Sequence, residues 1–483
     1  MHFLYEMGAA MMDHNRVPLW EALKKHKSFT KANFHVPGHK AGQAYDQDGY
    51  RDFSSILPFD LTEVGDLDDL HAPVGAIKEA QELAADAFGA VHTRFLVGGT
   101  TAGILASILS ICQPNDKIIV ARHCHQSVFH GCFLAGATVI PIPYTIDPAS
   151  GLELPASSKV TEQLLKEHPE AKAVILTSPT YFGVVQQVRT LSEIAHRYQV
   201  PLIIDEAHGA HFGFHPNLPT SAMCSGADIS IQSSHKMLPA MTMSSMLHIN
   251  SRLVDTGQVD LYLKMIQSSS PSYPLMASLD LARRYMRTKG EKQLSLTLER
   301  VRSFREKLEK IPSIQELKIS INMDPLKLSI ESEYYTGYEL AEILEGKGIY
   351  TELADEQKIL VVFSVGTKQV ELDYLHQTLT DLHMDKQVAK SKTKPMLLAP
   401  REGEILPYAE CRTRERCFIP VKQAFGKRSA THLVPYPPGI PLLLMGERIH
   451  QEVIDYLLFL LASGGKVRGL IEHQGEYWLY AYH

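Results

Sequence analysis

From about residue 73 the chain keeps one rhythm, and that rhythm limits the folds open to it. Short apolar, β-branched runs ("TRFLV", "DKIIVAR", "GATVIPIPY", "KAVILTSPTYFG", "VPLIIDEAHG", "ADISIQSSHK") follow one another, and helical segments such as "VRTLSEIAHRYQ" separate several of them. Apolar strands alternating with helices imply an α/β fold, with a mainly parallel sheet covered on both faces. In such sheets functional loops lie at the carboxyl ends of the strands. The chemically distinctive residues of this chain fall just past apolar runs, where that rule places them.

The flanks read differently. Residues 1–72 form an N-terminal arm, with the turn-rich "HVPGHKAG" and the acidic "FDLTEVGDLDDL". "GAIKEAQELAADAFGA" has helical spacing and a glycine stop, and it opens a large domain over 73–300. A charged helix, "SLTLERVRSFREKLEKI", leads into a small α/β domain over 301–390, whose strands are expected at "ELKISIN", "DPLKLSIE" and "KILVVFSV". The lysine-rich "DKQVAKSKTKP" lacks an apolar face and reads as a linker. Residues 391–483 form a C-terminal domain with "LVPYPPGIPLLLMGE" and a helix at "HQEVIDYLLFLLAS". At 483 residues, several domains rather than one small core are expected. A net charge of −6 gives no basis for a nucleic-acid or membrane-surface role, and no stretch reaches the length of a membrane span. The six cysteines form no CxxC pair, so they read as reduced thiols of a cytoplasmic protein. "MHFLYEMGAAMMDHNR" is too short and too interrupted by charge for a signal peptide.

Four features carry candidate chemistry. In "LVGGTTAG" a strand, a Gly-Gly-Thr-Thr turn and a helix form a usable phosphate cup, where backbone N–H groups from Gly99 onward and the hydroxyls of Thr100 and Thr101 face an anion. A plain strand-to-helix turn would look the same. In "PLIIDEAHGAHFG" an apolar strand ends at Asp205, carrying its carboxylate to the sheet edge; the bland alternative is a strand-end or capping charge. Glu206 and the small residues Ala207, Gly209 and Ala210 leave room for a flat ligand there. His208 and His211 lack the further ligands that a zinc site needs. In "SSHK", Lys236 follows Ser233, Ser234 and His235. A desolvated lysine amine can form a Schiff base with an aldehyde, whereas an isolated lysine is ordinarily a solvated surface charge. In "ARHCHQSVFHG", His123 or His125 could lay its ring on a planar cofactor or fill a structural place.

Together these pieces suit pyridoxal 5′-phosphate. The cup anchors its phosphate, with Ser233, Ser234 and His235 adding donors, and Lys236 holds its aldehyde. Asp205 pairs with the pyridine nitrogen and keeps it protonated, so that the ring accepts electrons. No metal is called for.

"FHVPGHKAG", "GTTAG", "HQSVFHG", "SPTYFGV", "DEAHGAH", "SSHK", "QSSSPSYPLMASLD" and "YPPGIPLL" occur in that order across roughly residues 30–450. In these motifs the chain resembles the ornithine/lysine/arginine decarboxylases of the aminotransferase-like fold type I, in the short form without the N-terminal wing domain, and especially the arginine decarboxylase-like bacterial group. The resemblance implies that Lys236 is the Schiff-base lysine, Asp205 the pyridine-nitrogen partner and His125 the ring-stacking histidine. It gives Thr100, Thr101, Ser233 and His235 to the phosphate, with Gly99 and Ala207 lining the cofactor. It implies a homodimer or dimer-based oligomer with shared sites, in which Ser268, Ser269 and Ser270 reach the neighbouring subunit's phosphate. His208 stands where larger relatives often carry tryptophan, near the cofactor's phenolic oxygen or the substrate carboxylate.

The implied reaction is α-decarboxylation of a basic amino acid, arginine before lysine or ornithine, giving agmatine and CO2 in polyamine biosynthesis. Acidic partners for the substrate's distal cation are sought in "EVGDLDD" and near "PPGIP". An aminotransferase would instead hold the substrate carboxylate with an arginine, and Arg283 is one candidate. Another fold-type-I lyase or aminotransferase, or a catalytically silent regulatory homologue, would share the cup, Asp205 and Lys236.

Overall fold

The structure, a computed structural model, describes residues 12–384, 405–436 and 439–483. The first part of the N-terminal stretch, the "DKQVAKSKTKP" linker and the two prolines of "YPPGIP" lie outside the described residues.

The six apolar runs become β1 (His92–Leu96), β2 (Lys117–Ala121), β3 (Thr138–Ile142), β4 (Val174–Thr177), β5 (Leu202–Asp205) and β6 (Ile229–Gln232). A seventh strand, β7 (Ser245–Ile249), completes a sheet of order β1-β7-β6-β5-β4-β2-β3. β4 and β5 pair in parallel, with Val174 opposite Leu202 and Thr177 opposite Asp205. β5 is likewise parallel to β6, and β2 to both β3 and β4. Only β7 runs against its neighbours β1 and β6. Two reversals return β1 to the common direction, so β1, β2, β4, β5 and β6 all end at one edge. The sequence expectation lacked β7: "SSMLHIN" mixes serine, histidine and apolar residues, and its polar groups are satisfied only across strands, as where Thr93 and Gln232 flank the His248 ring.

The central strands are buried on both faces, and Leu202 and Ile204 are completely enclosed. Each such aliphatic side chain contributes about 1.5–3 kcal/mol. Helices Gly99–Ile111, Gln126–Ala135 and Val188–Arg197 cover the sheet, and their apolar residues join its core. A second core gathers Leu19 and Leu23 of helix Pro18–Phe29, Ile77 and Ala84 of helix Ala76–Phe88, and the body of helix Tyr273–Tyr285. The arm is therefore packed onto the large sheet's helices.

A second, fully antiparallel sheet has the order β10-β11-β9-β8, from β8 (Ile314–Leu317), β9 (Lys327–Ser332), β10 (Leu353–Ala354) and β11 (Lys358–Val362). β8 starts before the expected "ELKISIN" and stops at Leu317, because Ile314 and Leu317 are its buried residues and the polar "KISIN" continues outside the ladder. A small antiparallel sheet near the C-terminus joins Arg416–Pro420, Arg428–Ser429, Ile471–His473 and Glu476–Tyr482. Helix Gln451–Ala462 packs with it. No described helix is long and apolar enough to cross a membrane.

Candidate active site

The common edge of β1, β2, β4, β5 and β6 brings the candidate residues together. β6 ends at Gln232, and Ser233 leads into a single helical turn, Ser234–Met237, that carries Lys236. β5 ends at Asp205, directly beside β6, where Asp205 is opposite Ile231. Asp205 is 3% exposed, and its Oδ1 accepts from the Ala207 N–H at 3.2 Å. Burial raises the Asp205 pKa, opposed by the charge of Lys236. Burial lowers the Lys236 pKa, opposed by Asp205 and Glu352. A buried carboxylate with one backbone donor has unused acceptor capacity, and a protonated pyridine nitrogen would use it.

At the end of β1, Thr100 Oγ1 lies 3.1 Å from Ser233 Oγ across the start of helix Gly99–Ile111. Two hydroxyls and the free amides of a helix N-terminus are the donor set of a phosphate cup. The Gly99 N–H is not part of it, because it donates to Met243 O. Thr101 is exposed at the same turn. His235 Nδ1 donates to Ser244 O at 3.0 Å. With that proton fixed, a neutral His235 ring presents only a lone pair at Nε2 and donates to a phosphate only as imidazolium. Ser234 Oγ is buried without a partner.

β2 leads to His125, which caps helix Gln126–Ala135 by accepting from the Ser127 N–H, and its Nδ1 sits 2.8 Å from Ser127 Oγ. Burial and the Lys236 charge push the His125 pKa down to about 4. The "YPPGIP" segment arrives here: Gly439 O accepts from the Gln126 N–H. A Cβ at Gly439 would stand 3.1 Å from His125 Cδ2, and its φ is +100°. Only glycine allows both the turn and this approach. His123, the alternative ring, is buried behind the site, where Gln186 Nε2 lies 3.4 Å from its Nε2.

Several expectations change. Of the small residues after Asp205, Gly209 and Ala210 do not clear a flat slot. A Cβ at Gly209 would press on Glu206 Cγ at 2.7 Å and Pro179 Cδ at 2.9 Å, and Ala210 belongs to a hydrophobic core. Glu206 turns into the fold and accepts from the Ala222 N–H, Ser230 Oγ and Gln232 Nε2, each at 2.8 Å. Burial pushes its pKa up to about 7. Arg283 is fully buried, paired with Asp280 and donating to the carbonyls of His14 and Arg16, so it holds the arm rather than a substrate. The acids of "EVGDLDD" are largely engaged: Asp66 with Lys25, Asp68 with the N–H groups of Val74, Gly75 and Ile77, and Asp69 with the His71 N–H. Ser268, Ser269 and Ser270 are exposed in the loop before helix Tyr273–Tyr285, and the loop bonds to His71 and within itself.

The expected His208 completes the pocket together with two residues that sequence reasoning missed, Lys327 and Tyr181. His208, 3% exposed, is held between two lysines: its Nε2 is 3.0 Å from Lys236 Nζ and its Nδ1 is 2.7 Å from Lys327 Nζ. Burial, with the two lysine charges, lowers the His208 pKa well below the ordinary imidazole range. Lys327 opens β9 in the second sheet and is 2% exposed. The Tyr181 ring lies 4.7 Å from the His208 ring and 5.6 Å from Lys236 Nζ. A lysine inside the apolar "PLKLSI" was the available signal. His211 pairs with Asp324, and among the described residues no group of three or more His, Cys, Asp or Glu side chains could hold a metal ion.

The profile described as "Orn/Lys/Arg decarboxylase, major domain" matches residues 17–323, and the one described as "Orn/Lys/Arg decarboxylase, C-terminal domain" matches residues 386–477. Over 465 residues the chain is 39% identical to the uncharacterized protein YaaO of Bacillus subtilis, covering 94% of this chain and 96% of that one. Over 480 residues it is 38% identical to the arginine decarboxylase of the same bacterium, covering 95% and 96%. Among solved structures, the constitutive lysine decarboxylase of Escherichia coli superposes with a TM-score of 0.83 at 21% identity, over 97% of this chain and 82% of that chain.

Proposed function

The chain belongs to the Orn/Lys/Arg decarboxylase family, and from that premise we propose that it converts L-arginine to agmatine and CO2. Family membership carries the reaction class, a pyridoxal-phosphate-dependent decarboxylation of a basic amino acid. Arginine is favoured because the relative bearing that name is 38% identical, whereas the lysine decarboxylase of similar fold is 21% identical.

The observation that supports this reading best is the meeting of a buried Asp205 and a partly buried Lys236 at adjacent strand ends, each favouring the other's charged form. When bound, pyridoxal phosphate supplies an electron sink for the pair left as the Cα–carboxylate bond breaks. Asp205 holds a proton on the pyridine nitrogen. Thr100, Thr101 and Ser233 would hold the phosphate, with Gly99 and Ala207 lining the cofactor, and His235, its Nδ1 proton committed to Ser244 O, would serve the phosphate only as imidazolium. His125 offers its neutral ring as a flat apolar face. Lys236 would hold the cofactor's aldehyde, and its amine is placed to deliver a proton to the substrate. His208 positions the Lys236 amine through Nε2. Ser268 to Ser270 act in the neighbouring subunit of a homodimer, for which their exposure is suited.

On the same reading the enzyme is cytoplasmic, as its six free cysteines favour, and it supplies polyamine biosynthesis. The parts serving it are an arm (1–72), a cofactor domain (73–300), a small domain (301–390) and a C-terminal domain (391–483). The test is a panel of arginine, lysine and ornithine on cofactor-loaded protein, with CO2 release measured and the amine product identified by mass. Agmatine in excess over cadaverine and putrescine is expected. CO2 release from none of the three would sink the decarboxylase reading.

A further inference from the structure

One ring bridging two buried amines restricts where protons can sit. The His208 pKa lies well below neutrality, so the ring carries a single proton at working pH. Its Nε2 is 3.0 Å from Lys236 Nζ and its Nδ1 is 2.7 Å from Lys327 Nζ. Two ammonium groups cannot both be satisfied by such a ring, because one of them would face the ring's own N–H. With both hydrogen bonds intact, at most one lysine is charged.

The groups facing this row decide which one. Lys236 faces Asp205, His125 and Tyr181 from the β5, β2 and β4 ends, and Glu352 from before β10. Lys327 faces Asp324 from its own turn and Glu352, and His211 stands behind Asp324 at 3.1 Å. Once the Asp205 charge is engaged by a protonated pyridine nitrogen, Lys236 keeps only Glu352, which also faces Lys327, whereas Lys327 keeps Asp324 as well, and the proton rests on Lys327. Burial holds the Lys327 pKa down at about 8, so this proton is exchangeable at working pH.

The placement of Lys327 is rigid. Asp324 N donates to Gly183 O at 2.7 Å, Val185 N donates to Asn322 O at 3.0 Å, and Leu326 N donates to Asp324 Oδ1. Gly183, at φ +91°, lies against the lysine stem, and a Cβ there would come within 2.9 Å of Lys327 Cβ. The loop after β4 thus fixes a residue of the second sheet beside the edge of the first.

We propose that Lys327 is the proton reservoir of Lys236, with the His208 ring as the carrier between them. As the N–H bond at Lys327 Nζ breaks, one forms at His208 Nδ1. As the N–H bond at His208 Nε2 breaks, one forms at Lys236 Nζ. The ring stays neutral and changes tautomer, the positive charge moves from Lys327 to Lys236, and the reverse passage restores both. Lys236 is thereby recharged from inside the protein, without water entering the site.

This inference rests on Lys236 being the cofactor lysine, but its first readout needs neither substrate nor turnover. In cofactor-free Asp205→Asn protein, where the carboxylate charge beside Lys236 is absent as it is when a pyridine nitrogen engages it, arylation of Lys236 by 1-fluoro-2,4-dinitrobenzene, located by peptide mass, follows the neutral amine against pH. Lys327→Met removes a nearby cation and is expected to raise that midpoint by about one pH unit. An unchanged midpoint in a folded variant, judged by circular dichroism, overturns the proposal. Lys327→Arg keeps the cation but not the mobile proton, since guanidinium does not titrate in this range. It should hold the midpoint of the Asp205→Asn protein near its value before the change, while in enzyme with Asp205 intact kcat on the preferred substrate falls at least about tenfold with KM little changed. Original kcat in the arginine variant also overturns it. Should Lys327→Met not fold, the arginine variant decides alone. A chain inactive on all three basic amino acids would count against the functional reading while leaving the arylation midpoint to judge the relay.

Discussion

Two lysines lie either side of one imidazole, and they reached that place by different routes. Lys236 follows an apolar strand of the large sheet, within a loop where hydroxyl, imidazole and amine residues are neighbours in sequence. Lys327 is the first residue of a strand in the second sheet, surrounded in sequence by leucine, proline and serine. The first is exposed enough to meet a ligand, while the second is 2% exposed. A reactive amine needs desolvation and access together, whereas a reservoir needs only desolvation and a partner.

The largest expected effect falls on the first region. Lys236→Ala removes the amine that takes the aldehyde, and activity should drop by roughly a thousandfold or more; CO2 release and the loss of the cofactor's absorbance band check it. Asp205→Asn keeps the shape and removes the charge. Activity should fall by about a hundredfold, and the Lys236 arylation midpoint should drop as well, because Asp205 favours the ammonium form. A variant that keeps its rate would mean that Asp205 is only a strand-end charge.

Intermediate effects belong to Gly439→Ala, which introduces a Cβ at positive φ against His125. A stability loss of about 1–2 kcal/mol is expected in denaturant titration, with a several-fold loss of rate. The smallest effect is in the pH dependence of stability. Burial holds His123 and His125 near 4, and His248 and His432 near 3, below the unfolded imidazole value. Between about pH 6.5 and these values the unfolded chain binds protons that the folded chain does not, so stability falls as pH falls. Lys327 has the same sign in a different window: its burial destabilises the fold below about pH 8, and that cost disappears as pH rises towards the unfolded lysine value. Thermal midpoints should therefore drop from pH 7 to 5, and the rise above pH 8 should shrink in Lys327→Met.

How much was legible follows the same division. The central strands β2, β4, β5 and β6 were readable because burial on both faces leaves nearly continuous apolar runs, and the half-buried β1 and β3 keep enough apolar residues to extend the rhythm. Asp205, Lys236, Thr100 and His125 were readable because strand-end loops gather their chemistry locally. β7 was missed because its serines and histidine are satisfied across the sheet, and the C-terminal sheet because its central strand Glu476–Tyr482 pairs with Arg416–Pro420, about 60 residues earlier in the chain. Arg283 looked available for a substrate carboxylate, yet Asp280, three residues before it, and the arm's carbonyls hold it. Lys327 reaches His208 across 119 residues of chain, and no local pattern encodes such a contact.

The most direct measurement is to load the protein with pyridoxal 5′-phosphate, reduce it with borohydride, digest it and locate the modified lysine by mass. Lys236 as the single modified position is the predicted result. Modification at Lys327, or at a surface lysine with Lys236 untouched, would contradict the assignment on which the site rests.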